Sequence, residues 1–347
     1  MKNKRIEYMD IAKAFGIIAV VVGHSRSPFI NFIYQFHMAL FFFISGFLYK
    51  EKYSENPLKF FVRKVKSLYL PFVAFEMVYL VCHNLFIKIG IYNNISYEGI
   101  QTIPIYNTKR FIEEIKKIIT FDGTEQLAGA FWFFTSLFTV NILFCSVSFL
   151  LKNFSKTNRE IIRGLVVAIC FITGNLIAEY NIYIHRYLGV SLVAMLIFYL
   201  GYLYQTQEEK IIFNKYIFLC CFIVLIVNSI YVRISMGANS YTSPFLFVLS
   251  SILGIYCILY LSKLICNTSM NIRLIKFIGR STVSIMALHF LVFKLVNLLQ
   301  IYIYNYPAYM LAKFPVLNGN DGWWILYTIT GITVPCLLSY VVRKGLR

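Results

Sequence analysis

Acidic side chains are scarce in this sequence. Its 347 residues hold 15 Asp and Glu against 33 Lys and Arg, and charged residues of both signs make up only 14% of it. With 59% hydrophobic residues and a mean hydropathy of +0.68, an ordinary soluble domain is excluded. The eight cysteines lie mostly within apolar runs and lack paired metal-ligand spacing. Cys220 and Cys221 are adjacent and would point apart on a helix. Neither a disulfide framework nor a zinc site is implied. Also missing are a Ser-His-Asp arrangement, a Gly-rich phosphate loop and any metal cluster, so no metal is expected. No separate secretory signal peptide is expected either, because the first apolar run carries Lys13 and continues into a second helix. Internal repeats, low-complexity segments and an attached soluble domain are likewise not seen, and residues 1–347 read as a single transmembrane domain.

What is present is apolar run after apolar run. Ten are long enough to cross a bilayer, near 9–25, 29–48, 68–90, 127–151, 161–178, 187–205, 214–232, 243–265, 282–304 and 323–342. The expected fold is an all-α polytopic membrane protein of about ten helices. With the N-terminus inside, 22 of the 33 Lys and Arg fall in inside segments and nine outside, Arg186 among the latter. That asymmetry supports ten spans with both termini cytoplasmic. It also accounts for the net charge of +18 without nucleic acid as a partner. The longest connection, about 91–126, is expected outside. Within it KRFIEEIKKIITF (109–121) has the period of an amphipathic helix, lying on the membrane, capping a cavity or simply solvated. The segment 305–322 is rich in turn signals.

The stretch from Tyr8 to Tyr49 carries the most chemistry. It reads as two apolar helices joined by Ser25-Arg26-Ser27-Pro28. Lys13 and His24 are eleven residues apart, which returns to nearly one face about 16 Å further along the axis. The second helix brings His37 and Ser45-Gly46. Ionisable groups inside apolar spans are costly and usually face a cavity or a partner. The candidates are Lys13, His24, His37, Glu76, His289 and Lys294. Lys13 is near enough to the surface to snorkel. His37 reads as a second catalytic group or a structural hydrogen-bonder. Glu76 reads as a partner for a cation or donor on a neighbouring helix. His289 and Lys294, five apart and on different faces, read as structural or snorkelling. Arg63-Lys64-Val65-Lys66, before the third span, reads first as a topology signal, and Trp132 as an interfacial anchor or a wall for substrate.

Several stretches resemble a known family. Asp10-x-x-Lys13 followed by GIIAVVVGHS, FHMALFFFISGFLY, RKVKSLYLPF (63–72), FWFFTSLF (131–138) and IGRSTVSIMALH (278–289) are similar, in order, to the acyltransferase-3 family of bacterial integral-membrane O-acyltransferases. The fucose-acetylase-like branch is the most similar. The resemblance implies acyl transfer, acetyl by analogy, from cytoplasmic acyl-CoA to a hydroxyl of a cell-surface or lipid-linked carbohydrate, in the bacterial inner membrane. It implies His24, with His37, as catalytic groups. Lys13, Arg63, Lys64 and Lys66 would meet the phosphates of CoA, and Asp10, Glu76 and Trp132 would bind substrate. The interval from Lys13 to His24 is on the scale of a pantetheine arm. Two departures stand out. Ala39 replaces a proline frequent after His-Met, and Lys13 replaces a frequent Arg, losing the bidentate fork. A transporter or flippase using the same intramembrane charges, or a membrane domain with a binding role, remains the alternative.

Overall fold

The computed structural model describes residues 2–182, 184, 187–268 and 272–345. Arg186 and Arg347, counted among the loop charges, lie outside the described residues. Among the described residues the chain is mostly helical, with a two-residue antiparallel ladder that pairs Ile234 with Tyr241. In chain order the helices are α1 (Lys2–His24), α2 (Ile30–Tyr34), α3 (His37–Phe47), α4 (Pro57–Lys64), α5 (Leu70–Lys88), α6 (Thr108–Ile119) and α7 (Trp132–Leu150). They continue with α8 (Lys156–Glu179), α9 (Leu188–Gln207), α10 (Lys215–Tyr231), α11 (Pro244–Cys266), α12 (Arg273–Arg280), α13 (Thr282–Tyr304) and α14 (Trp323–Gly345). By length and composition, eight helices among the described residues are able to cross a membrane. The apolar α10 is short at 17 residues, and α1 is interrupted by charge.

The contacts divide the chain into two compact units. The first holds Met1–Gly16, Asn31–Pro71 and Trp132–Met270. Here α9 packs against α3, α7 and α8, and it is apolar and buried on most faces. Gly46 of α3 and Gly201 of α9 let the two backbones meet. A methyl on Gly46 would strike the Phe198 carbonyl, and one on Gly201 the Phe43 carbonyl. The second expected span is broken into α2 and α3 at Gln35–Phe36. Gln35 donates through Nε2 to the Leu225 carbonyl at 2.9 Å, and Ser251 Oγ donates to the Gln35 carbonyl at 3.3 Å. Ser251 of α11 thus satisfies a backbone carbonyl that the break releases, while the Gln35 side chain ties the break to α10. The break survives the absence of a proline at Ala39.

The third span begins earlier than expected. Asn56 caps α4 by accepting from the Lys59 amide at 3.0 Å, with Pro57 in the first helical position. A π turn over Val65–Tyr69 then leads directly into α5. The Arg63–Lys66 run is therefore helical, not a loop ahead of the span.

The second unit holds Ile17–Ile30, Phe72–Phe131 and Asn271–Arg347. Within it α13 packs on α14, and Tyr79 of α5 donates to the Ala287 carbonyl of α13. The amphipathic segment of the 91–126 connection is α6, capped by Asn107 and tied by buried Glu114 to Arg110 and Lys117.

Candidate active site

His24 ends α1, where Arg26 turns the chain through a left-handed conformation and Pro28 follows. Its imidazole is half-buried. Nδ1 lies 2.9 Å from Nε2 of His289, which is fully buried on α13. The rings are within 9° of parallel with centroids 5.1 Å apart. A 2.9 Å nitrogen contact plus the two ring radii gives that separation, so the pair is joined edge to edge in line rather than stacked face to face. Phe290 packs on both rings, at 4.7 Å from His24 and 4.0 Å from His289. Lys294, one turn further on, does not snorkel. It is 2% exposed and donates to the Leu311 and Lys313 carbonyls at 3.0 Å each.

A second ionisable cluster in this unit comes from α5 and the following connection. His83 Nδ1 is 3.0 Å from both carboxylate oxygens of Glu125, and its Nε2 donates to the Pro104 carbonyl at 3.0 Å. The imidazole lies flat on Tyr106, with centroids 3.4 Å apart. Burial, reinforced by the Glu125 charge, pushes the phenols of Tyr92 and Tyr106 upward, so both stay protonated. Glu76, fully buried, takes long contacts from the Thr124 and Glu125 amides at 3.5 and 3.4 Å. It thereby faces the 123–125 loop, where a side chain on Gly123 would come within 2.6 Å of it. His83 is not among the candidates drawn from the sequence, although an imidazole in an apolar run is the same signal that singles out His24 and His37.

The first unit holds the basic cluster. Arg63 and Lys66 line a surface recess with Lys52, Tyr53, Lys59 and Phe60, of about 400 Å³. An overlapping lobe of about 610 Å³ adds Lys50 and Glu55. Arg63 donates to the Tyr53 hydroxyl at 3.0 Å, and Tyr53 stacks on Phe60. Lys64 does not line this space; its ammonium lies 5.1 Å over the Phe60 ring. The turn bearing Lys50, Lys52 and Tyr53 is pinned through Glu51, which accepts from Arg163 at 2.6 Å and from Tyr202 at 2.6 Å. Arg163 is fully buried and lies over the rings of Tyr202 and Phe144. Lys13 is paired with Asp10 at 3.2 Å, one turn earlier on α1. His37 donates from Nδ1 to the Ile33 carbonyl at 2.9 Å beside the Tyr34 ring. Trp132 packs on Phe133 and Tyr187, with Gly237 against its indole.

Among the described residues no group of His, Cys, Asp or Glu is arranged to hold a metal ion. Long apolar helices that keep a paired imidazole beside them define a multi-pass membrane protein with a group suited to moving protons. The model of the acyltransferase-3 family, described as an acyltransferase domain, matches residues 6–340, and the chain belongs to that family. No curated protein and no solved structure matches it. The protein is thus a membrane acyltransferase, and the family favours group transfer over the transporter reading.

Proposed function

We propose that the protein is an O-acyltransferase of the bacterial cytoplasmic membrane, with ten spans and both ends cytoplasmic. It moves an acyl group, acetyl by family analogy, from cytoplasmic acyl-CoA to a hydroxyl of a cell-surface or lipid-linked carbohydrate. The observation that carries this reading is a half-buried His24 hydrogen-bonded to a buried imidazole, in a chain of this family.

His24 is the general base. It takes the proton of the acceptor hydroxyl as that oxygen attacks the thioester carbonyl. The tetrahedral oxyanion collapses, the C–S bond breaks, and the thiolate of CoA leaves with the proton that His24 returns. An O-ester and free CoA result. The recess around Arg63 and Lys66 receives the donor phosphates, Arg as a bidentate donor and Lys as a point charge. Lys64 on α4 and Lys13 on α1 add positive charge. Of the groups proposed to bind substrate, Trp132 offers an aromatic face, Asp10 acts beside Lys13, with which it is paired, and Glu76 acts through the 123–125 loop that it holds. His37, whose Nδ1–H is held by Ile33, is the second catalytic candidate.

Purified protein in nanodiscs, given labelled acyl-CoA, tests the base. His24→Ala should still bind donor yet lose transfer by about 10²-fold or more, because proton removal belongs to the transition state. His24→Gln should fail in the same way, and wild-type transfer should slow in acid, where imidazolium has no lone pair. A folded His24→Ala protein with near wild-type transfer overturns the assignment and moves it to His37. Mass spectrometry of surface glycans, with and without the gene product, identifies the acceptor.

A further inference from the structure

His289 is tied to backbone on one side and to His24 on the other. Its Nδ1 lies 2.9 Å from the Ile285 carbonyl and 3.0 Å from the Met286 carbonyl, the i−4 and i−3 residues of its own helix. Carbonyl oxygens only accept, so Nδ1 carries a hydrogen. In a neutral imidazole the other nitrogen then holds the lone pair. That nitrogen, Nε2, is the one facing Nδ1 of His24 at 2.9 Å. The hydrogen between the rings therefore belongs to His24, and the basic nitrogen of His24 is Nε2. The opposite polarity would need a second proton on His289, an imidazolium with no exposure to solvent whose partners are two carbonyls and a neutral ring. Turning the ring over would set carbon in place of nitrogen against the Ile285 and Met286 carbonyls and against His24, and all of these contacts would be lost.

We propose that His289 is a positioning residue: it holds His24 in the Nδ1–H tautomer, so that Nε2 meets the acceptor hydroxyl, and it strengthens its hydrogen bond when His24 becomes charged. The proposal rests on the reading of His24 as the base. When His24 takes a proton at Nε2, the Nδ1–H bond to His289 becomes charge-assisted, about twice as strong as a neutral one. The carbonyls of Ile285 and Met286 polarise His289 in the same direction. A neutral imidazole anchored to a helix thus does what a carboxylate does in a Ser-His-Asp triad, namely fix a tautomer and steady the cation. It does so without the desolvation cost of a buried negative charge. The sequence gives no hint of this pairing, since 265 residues separate the two rings.

The test is ¹⁵N NMR of the full chain labelled at its five histidines, with His24 assigned from the His24→Gln spectrum. The expected wild-type signature for His24 is a protonated, pyrrole-type Nδ1 and a pyridine-type Nε2. His289→Ala should shift His24 toward a mixture of tautomers and lower kcat by about 10- to 100-fold, the kinetic equivalent of one charge-assisted hydrogen bond. KM for acyl-CoA should stay unchanged. His289→Gln, whose amide oxygen still accepts from Nδ1–H, should keep the tautomer and recover part of the rate. In a His24→Ala background, His289→Ala should cost nothing further. A wild-type His24 protonated at Nε2 instead overturns this proposal while leaving His24 as base. Full transfer by His24→Ala overturns the base reading, whatever the spectrum. If His289→Ala does not fold, the wild-type spectrum and the Gln variant still decide.

Discussion

Lys294 and Asn297 stand one turn apart on α13 and grip the same two carbonyls, those of Leu311 and Lys313. They are not equivalent. The Lys294 ammonium gains two charge-assisted bonds but is 2% exposed, so a desolvation cost of several kcal/mol opposes that gain. Asn297 pays no such charge penalty and also accepts from the Leu317 amide at 3.2 Å and the Tyr327 hydroxyl at 2.6 Å. Lys294→Met should therefore change stability by less than about 1 kcal/mol, because Asn297 still serves both carbonyls. Asn297→Ala should lose about 1–3 kcal/mol, since buried partners are left unmatched. Thermal unfolding of both variants in one detergent ranks them, and the reverse order would refute this account. The residue scale is also where the sequence was most informative and least complete. Lys13, His24, His37 and Glu76 stood out because apolar runs have no use for them. His83 carries the same signal. What each group touches is tertiary: Lys294 reads from the sequence as structural or snorkelling, and only the fold shows that its partners are the Leu311 and Lys313 carbonyls of the 305–322 connection.

Among the elements, each expected apolar run is largely helical, the second in two pieces, since length and hydropathy survive any change of neighbours. The irregularities were hidden for a physical reason. The Asn56-Pro57 start of α4 is a local cap signal and was readable, but the charge of residues 59–66 drew the expected boundary to 68. The π turn at 65–69 inserts one residue without altering hydropathy, so composition is blind to it. The break at Gln35–Phe36 depends on Leu225 and Ser251, some two hundred residues away in sequence. The crossing of α3 and α9 was half visible. Ser45-Gly46 was noted, but Gly201 is one glycine in a long apolar run until its position against Phe43 is known. Because both glycines face main-chain carbonyls, neighbouring side chains cannot yield by changing rotamer. Gly46→Ala and Gly201→Ala should each cost at least about 1–3 kcal/mol. A third variant, Gly90→Ala, probes φ +78° where nothing lies within 4 Å, so it meets backbone strain without a clash. Lower melting temperatures for the two crossing variants than for Gly90→Ala are expected, and equal values would remove the close approach as the cause.

For the molecule as a whole, charge distribution is the feature with two readings. Lys and Arg gather on the segments assigned to the cytoplasm, which topology alone explains, and for that reason the sequence could not single out a donor site among them. The structure narrows the question. It gathers Lys50, Lys52, Lys59, Arg63 and Lys66 around one recess with a single acid, Glu55, and turns Lys64 away onto Phe60. A topology signal depends on the count of charges in a segment and is indifferent to which face they occupy. A phosphate site depends on the face. Arg63→Ala and Lys66→Ala should each weaken acyl-CoA binding about two- to fivefold, as expected of partly solvated ion pairs. Lys64→Ala removes the same charge from the same turn of chain and should weaken it less. Raising ionic strength from 0.01 to 0.15 M shortens the screening length from about 30 to about 8 Å, and binding should fall accordingly in the wild type and fall less in Arg63→Ala. Binding measured on protein in nanodiscs, with insertion verified for each variant, separates the two readings. Equal losses for all three substitutions would mean that the cluster acts only through its summed charge, and no loss in any would return it to topology.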